Sequence, residues 1–150
     1  MTKIYVGADH GGFELKETIK PFLQELGYKV EDLGAHELVE DDDYTDFVIP
    51  VAQNVATDYK SLGIVIGRSG NGEAIAANKV KGIRAALCLN PEMAKKAREH
   101  NNANVLSLGA DYVSIDEAIN VVKIFLETQF SEEERHRRRI AKISEFENKA

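Results

Sequence analysis

The chain has 150 residues, 43% of them hydrophobic and 29% charged, which suits one soluble domain, 1–150, able to bury a real core. A formal net charge of −6 argues against a general nucleic-acid-binding face, and no apolar run approaches the roughly 20 residues of a membrane helix. Cys88 stands alone, which excludes an intrachain disulfide and fits a reducing cytoplasm, and no apolar h-region of a signal peptide follows Met1-Thr2-Lys3-Ile4.

Residues 4–8 read as a buried strand that stops at Asp9-His10-Gly11-Gly12. Phe13, Ile19, Phe22, Leu23 and Leu26 then follow helical spacing over 13–26, with Pro21 inside as a kink or a break and Gly27 as the stop. Residues 29–33 form a short strand closed by Gly34. The acidic stretch 37–43 is a loop, and Asp41-Asp42-Asp43 within it reads as solvated rather than cation-binding. A helix over 44–57 is interrupted by Pro50. Next come a strand over 62–67, a helix over 73–80, a strand over 83–89 and a helix over 91–101 with proline in its first turn. A strand over 105–109 and a helix over 115–128 follow, and Ser131-Glu132-Glu133-Glu134 reads as a capping box for a last, charged helix.

Strands alternate with helices, and the strands are solid apolar runs, so both faces of the sheet are covered. The expected fold is α/β: a Rossmann-like three-layer αβα sandwich on a parallel sheet of about five strands, closed by a C-terminal helix. Ligands in such sheets bind beyond the carboxyl ends of the strands, where the strand order reverses. That rule selects Asp9-His10-Gly11-Gly12, the loop 68–73, Leu89-Asn90 and Gly109-Ala110-Asp111.

The loop from Gly67 through Arg68, Ser69, Gly70, Asn71 and Gly72 to Glu73 is the strongest chemical signal. Its glycines fit neither a Walker A loop nor Gly-x-Gly-x-x-Gly. Free N–H groups at a helix start favour an anion, Ser69 adds a hydroxyl donor, and Glu73 places a carboxylate at the edge; an ordinary tight βα turn is the plain alternative. Asp9 is a helix N-cap or, with His10, an acid and a titratable base at the ligand edge. His100 shares helical spacing with Met93, Ala94 and Ala97, which suits a packed histidine. Arg135 and Arg139, spaced i, i+4, point the same way and can grip a phosphate unless Glu132–Glu134 neutralise them. Cys88 reads as an inert core thiol, and the four histidines lack metal-ligand spacing.

Together, Gly7-Ala8-Asp9-His10-Gly11-Gly12-Phe13-Glu14-Leu15-Lys16, Ser69-Gly70-Asn71-Gly72-Glu73 with Ile75-Ala76-Ala77-Asn78-Lys79, and Arg84-Ala85 make a recognisable series. It continues through Arg98-Glu99-His100-Asn101-Asn102-Ala103-Asn104 and Arg135-His136-Arg137-Arg138-Arg139. Over nearly the whole chain this resembles the ribose-5-phosphate isomerase B family, which also holds allose- and galactose-phosphate isomerases. The resemblance implies interconversion of ribose 5-phosphate and ribulose 5-phosphate in the pentose phosphate pathway, with allose 6-phosphate or galactose 6-phosphate as alternative substrates. It implies a cis-enediolate and neither metal nor nucleotide cofactor. It gives the enediolate oxygen to the N–H groups of residues 68–72 with Ser69, ring opening to His100 helped by Asp9, and the phosphate to Arg135 and Arg139 aided by His10. Asn101 would bind sugar hydroxyls and Tyr44 would line the pocket. The C-terminal arginines serve the partner's site in this family, which implies a homodimer and leaves a tetramer open. One branch of the family has a cysteine base at the place of Gly67, the other a glutamate at the place of Glu73, so the base here would be Glu73. Family members commonly carry glycine where Arg68 stands and arginine where Asp111 stands; either Arg68 supplies the missing positive charge or the swap marks a different sugar phosphate.

Two rivals belong to other classes. A dinucleotide-binding oxidoreductase would use Gly7, Gly11 and Gly12 with Glu31-Asp32 for a ribose, and a phospho-receiver module would want paired acids after the first strand and a lysine after the last, where this chain has Asp9-His10 and Asp111. The first has the wrong glycine spacing and no substrate domain; the second lacks the paired acids and the lysine.

Overall fold

In the computed structural model, which describes residues 2–149, the apolar runs become five parallel strands. They are β1 (Lys3–Ala8), β2 (Lys29–Asp32), β3 (Leu62–Gly67), β4 (Ala85–Leu87) and β5 (Val105–Gly109), in the order β2-β1-β3-β5-β4. The three central strands are buried almost throughout, which is why their sequences lack polar alternation, whereas the edge strands β2 and β4 are only partly covered.

The helices are α1 (Phe13–Glu25), α2 (Thr45–Thr57), α3 (Asn71–Ala77), α4 (Pro91–Asn101), α5 (Ile115–Glu127) and α6 (Glu134–Asn148). Leu15, Ile19 and Leu23 of α1, Ala94 and Ala97 of α4 and Val121, Val122 and Phe125 of α5 share one core with Ile64, Ile66, Leu106 and Leu108. On the other face, Val48, Val51 and Val55 of α2 and Ala77 of α3 pack on Tyr5, Val65 and Val105. The three expected layers are therefore present, with α6 lying on α4.

Several local expectations change. Neither proline breaks its helix: Pro21 lies on an exposed face of α1, and the Asn54 amide donates to the Pro50 carbonyl at 2.8 Å within α2. The strand expected over 83–89 shortens to β4 because only β5 pairs with it. The helix expected from 73 starts two residues earlier, at Asn71. Ser131-Glu134 is not a capping box: α6 begins at Glu134 on a Glu133 N-cap without a side-chain bond, and Glu132 takes a φ of 65°. The capping box of this chain is Ser114 with Glu117, at the start of α5.

After β1 the chain runs outward to β2, then crosses back to β3 on the other side of β1. The strand order reverses at the β1–β3 seam, where Ala8 pairs with Ile66. The turns after these two residues face one crevice.

Candidate active site

The β3–α3 turn is built around two glycines. Gly70, the N-cap of α3, has φ +82°, and a Cβ there would fall 2.6 Å from the Leu87 side chain and 3.0 Å from the Leu108 backbone. Only glycine combines that conformation with that closeness. The buried Ser107 hydroxyl of β5 donates to the Gly70 carbonyl at 2.7 Å and pins the turn to the sheet. Ser69 Oγ accepts the Asn71 N–H at 3.1 Å and the Gly70 N–H faces the Glu73 carboxylate, so that two of the five expected N–H groups are already engaged; the Ser69 hydroxyl proton remains free to donate.

Gly67 matters for the space it leaves. A Cβ built on it would lie 2.0 Å from Oε2 and 2.5 Å from Oε1 of Glu73. The Glu73 carboxylate thus occupies the volume of the missing side chain at the end of β3. Glu73 is only 4% exposed. Burial pushes its carboxyl above the usual range and the Asp9 charge adds to this, against the N–H groups of Glu73 and Gly70. A carboxylate held this way is a stronger base than one in water.

Across the seam, Asp9 is 7% exposed and its Oδ1 accepts the Gly11 N–H at 2.9 Å. It does not cap α1, whose N-cap is Gly12 without a side-chain bond. His10 Nδ1 lies 2.8 Å from Asp42 Oδ1, which also accepts the His10 backbone N–H at 2.9 Å. The bond to Asp42 raises the His10 pKa; the Asp9 charge adds, while desolvation and Arg68 oppose it. Asp42 is therefore no solvated loop residue: its side chain is 11% exposed. Tyr44 reaches the same place, since a Cβ on Gly72 would lie 2.7 Å from its ring. Arg68 crosses over Gly11, its Nη1 lies 3.7 Å from Asp111 Oδ1, and its carbonyl accepts the Asp111 N–H at 2.9 Å. Arg68, His10, Gly11, Glu14, Leu38 and Glu40 line a cavity of about 230 Å³. The carboxylates of Asp9 and Asp42 and the His10 ring bring ligand atoms within 4.8 Å of one another, the group nearest to a metal-binding set among the described residues.

His100, Asn101, Arg135 and Arg139 are not brought to this crevice within one chain. A helix joining parallel strands must carry the chain back to the edge where strands begin. The C-terminus of α4 is accordingly tied to strand starts: Arg84, just before β4, donates to the carbonyls of Asn101 and Asn102, and the Asn104 carbonyl accepts from Gly63. Four residue steps of β3, about 13 Å, separate Gly63 from Gly67. At this second edge His100 stacks on His136 of α6, ring centroids 4.4 Å apart and planes at 14°. Burial lowers the His136 pKa, and His100 and the arginines add to this. Arg137 and Arg138 pair with Glu132 and Glu134, Arg135 lies 3.4 Å from Glu133, and Arg139 has no ion pair among the described residues. A larger cavity of about 670 Å³ opens at this edge, but Arg84 and Arg98 there are spent on backbone carbonyls.

Other candidates resolve plainly. Cys88 is buried and its thiol is pushed up to about 12, so it is inert. Asp32 cannot serve a nucleotide ribose, because Lys16 and Lys20 hold it at 2.7–2.8 Å. The pinning role of Ser107, the inward turn of Asp42 and the stacking of His136 are absent from the expectations drawn from sequence. Only Ser107 left a signal, a hydroxyl inside an otherwise apolar strand that must find a partner.

The model of the family described as Ribose/Galactose Isomerase matches residues 4–143. Ribose-5-phosphate isomerase B of Mycobacterium leprae is 47% identical over 145 residues, covering 97% of this chain and 90% of that protein. The solved structure of ribose-5-phosphate isomerase B from Clostridium thermocellum superposes with a TM-score of 0.94 at 47% identity, covering 99% of both chains. That from Mycoplasma genitalium, with bound ribulose-5-phosphate, gives 0.96 at 41% identity over 99% of this chain and 98% of that one.

Proposed function

The chain belongs to the ribose/galactose isomerase family, and on that premise we propose how its residues divide the work of interconverting ribose 5-phosphate and ribulose 5-phosphate. The observation that carries the reading is the buried Glu73 carboxylate seated over Gly67 beside the loop 68–72.

Glu73 removes the proton from C2 of the open-chain aldose and returns it to C1. The carbonyl oxygen gains negative charge as the cis-enediolate forms, and the loop N–H groups with the Ser69 hydroxyl stabilise it. Asn71 positions the turn, its own N–H being engaged by Ser69, and Gly70 and Gly72 allow the backbone to approach the sugar. Before this step the furanose ring must open. His100 moves the proton between the anomeric hydroxyl and the ring oxygen, Asp9 assists from the other side, and Asn101 and Tyr44 hold the sugar. His10, Arg135 and Arg139 bind the phosphate, and Arg68, leaning over Gly11, supplies the charge that Asp111 does not. Proton transfer of this kind consumes neither a nucleotide nor a metal.

Because Glu73 and His100 stand at opposite edges of one sheet, a whole site needs a second copy of the chain. The working unit is a homodimer in which each Glu73 edge meets the partner subunit's His100 and arginines. An isomerase assay of Glu73→Gln tests the base: kcat falls by about 10²–10⁴-fold with folding unchanged. Turnover near that of the parent protein removes Glu73 from this role. Parent-protein assays on ribose, allose and galactose phosphates test the substrate, and activity on none of them overturns the function. In Arg68→Ala an unchanged KM on the preferred substrate removes Arg68 from phosphate binding.

A further inference from the structure

The turn after β1 is gripped by a residue far away in sequence. One oxygen of Asp42, Oδ1, accepts both the backbone N–H of His10 and the N–H at Nδ1 of its ring. Two bonds to one oxygen fix the ring relative to its own backbone. They also fix the tautomer, with the Nδ1 proton on the Asp42 side and Nε2 left as the ring's only free hydrogen-bonding atom. The second oxygen, Oδ2, is buried with no hydrogen-bond partner. Such a carboxylate favours a positive charge on the ring that it holds at 2.8 Å.

We propose that Asp42 is a positioning residue for substrate binding, holding His10 so that Nε2–H is presented as a fixed cationic donor to the sugar phosphate. The proposal rests on the reading of His10 as a phosphate ligand. Among the described residues, the charged groups facing His10 are Asp42 from the loop 37–43, Asp9 at the end of β1 with Oδ2 at 3.8 Å, Arg68 from the β3–α3 turn, and Glu14 and Glu40 on the cavity wall. Three of the four carboxylates only surround the ring, whereas Asp42 is bonded to it. The raised pKa of His10, caused first by that bond, keeps the ring cationic to higher pH. A phosphate dianion favours the same state.

The test replaces the charge and keeps the shape, using the full-length protein with Asp42→Asn and, as a control matched in charge, Asp41→Asn at an exposed neighbour. The His10 ring is titrated by NMR in histidine-labelled protein, assigned with His10→Gln, and KM and kcat for ribose 5-phosphate are measured from pH 6 to 9. In Asp42→Asn, His10 titrates at lower pH, and the rise of KM with pH moves down with it. Near neutral pH KM increases by about tenfold, as expected for one charge-assisted hydrogen bond, while kcat changes far less. Asp41→Asn leaves both unchanged. A His10 titration unmoved in Asp42→Asn overturns the positioning role. A shifted titration with an unmoved KM overturns the phosphate reading beneath it. Should Asp42→Asn fail to fold, Asp42→Ser gives the same two readouts.

Discussion

Gly67→Ala adds a single methyl group, at the point where the structure leaves room only for the Glu73 carboxylate. The added Cβ would lie 2.0 Å from Oε2, 2.2 Å from Cδ and 2.5 Å from Oε1 of Glu73. Ordinary carbon–oxygen contact is about 3.4 Å, so the carboxylate must retreat by more than 1 Å. The backbone itself does not resist, because Gly67 lies in a regular strand outside the positive-φ set. A displacement of about 1 Å at a reacting group costs on the order of 10²-fold, or about 2.7 kcal/mol of barrier. Steady-state isomerisation of ribose 5-phosphate should therefore show kcat down about a hundredfold, with KM changed little and Tm within a few degrees of the parent. The same methyl group leaves Asp9, His10 and Arg68 in place, which is why the loss should fall on kcat. Turnover of Gly67→Ala within threefold of the parent would refute the placement of the base over this glycine.

Subunit mixing tests the shared site: Glu73→Gln and His100→Ala chains, each inactive alone, should on random pairing regain about a quarter of the parent activity, since half of the dimers carry one intact site of two. No recovery in isolated mixed dimers would place both residues in one subunit's site. Lys16 is buried, with Nζ 2.7–2.8 Å from both oxygens of Asp32 and 2.7 Å from the Ala35 carbonyl. Lys16→Met should cost about 3 kcal/mol, or about 6–12 °C in Tm by calorimetry, with Lys20 retaining part of the grip on Asp32. Burial alone would push the Asp32 carboxyl up, but Lys16, Lys20 and the Gly34 N–H outweigh it and hold the group low. Its stabilisation is therefore complete above the ordinary aspartate range and lost on acidification below about pH 4, a loss that Lys16→Met should shrink. His136 is lowered by burial, so its neutral ring stabilises the fold above about pH 6.5 and that gain is lost as pH falls. His136→Phe keeps a flat ring against His100 and should flatten the fall of Tm between pH 7 and 5 relative to the parent; an unchanged slope would exclude the stacked pair as its cause.

The fold was legible because its strongest signals are local. Central strands such as β3 and β5 are covered on both faces, so their apolar runs are unbroken. The turn around Gly70 is as easily read, since glycine is required there by a positive φ. What escaped is long-range. Asp42 lies in a triplet of identical acids, of which only the middle one turns inward, 32 residues from the ring it holds. Ser131 with Glu134 had the spacing of a capping box, but the chain bends at Glu132 and gives that role to Ser114 and Glu117. His100 posed a different problem. Its helical spacing with Ala94 and Ala97 fitted a packed histidine, and it does pack, against His136. That contact does not compete with a role in catalysis. One ring face rests on His136, which fixes the ring's orientation, while the ring remains only partly buried. The direction of α4, set by the need to return to the edge where β5 starts, carries this prepared histidine away from its own chain's Glu73. A parallel α/β sheet offers loops for chemistry at one edge and returning helix ends at the other. The proposal that two copies of the chain bring both to one sugar phosphate therefore rests on the topology rather than on any single motif.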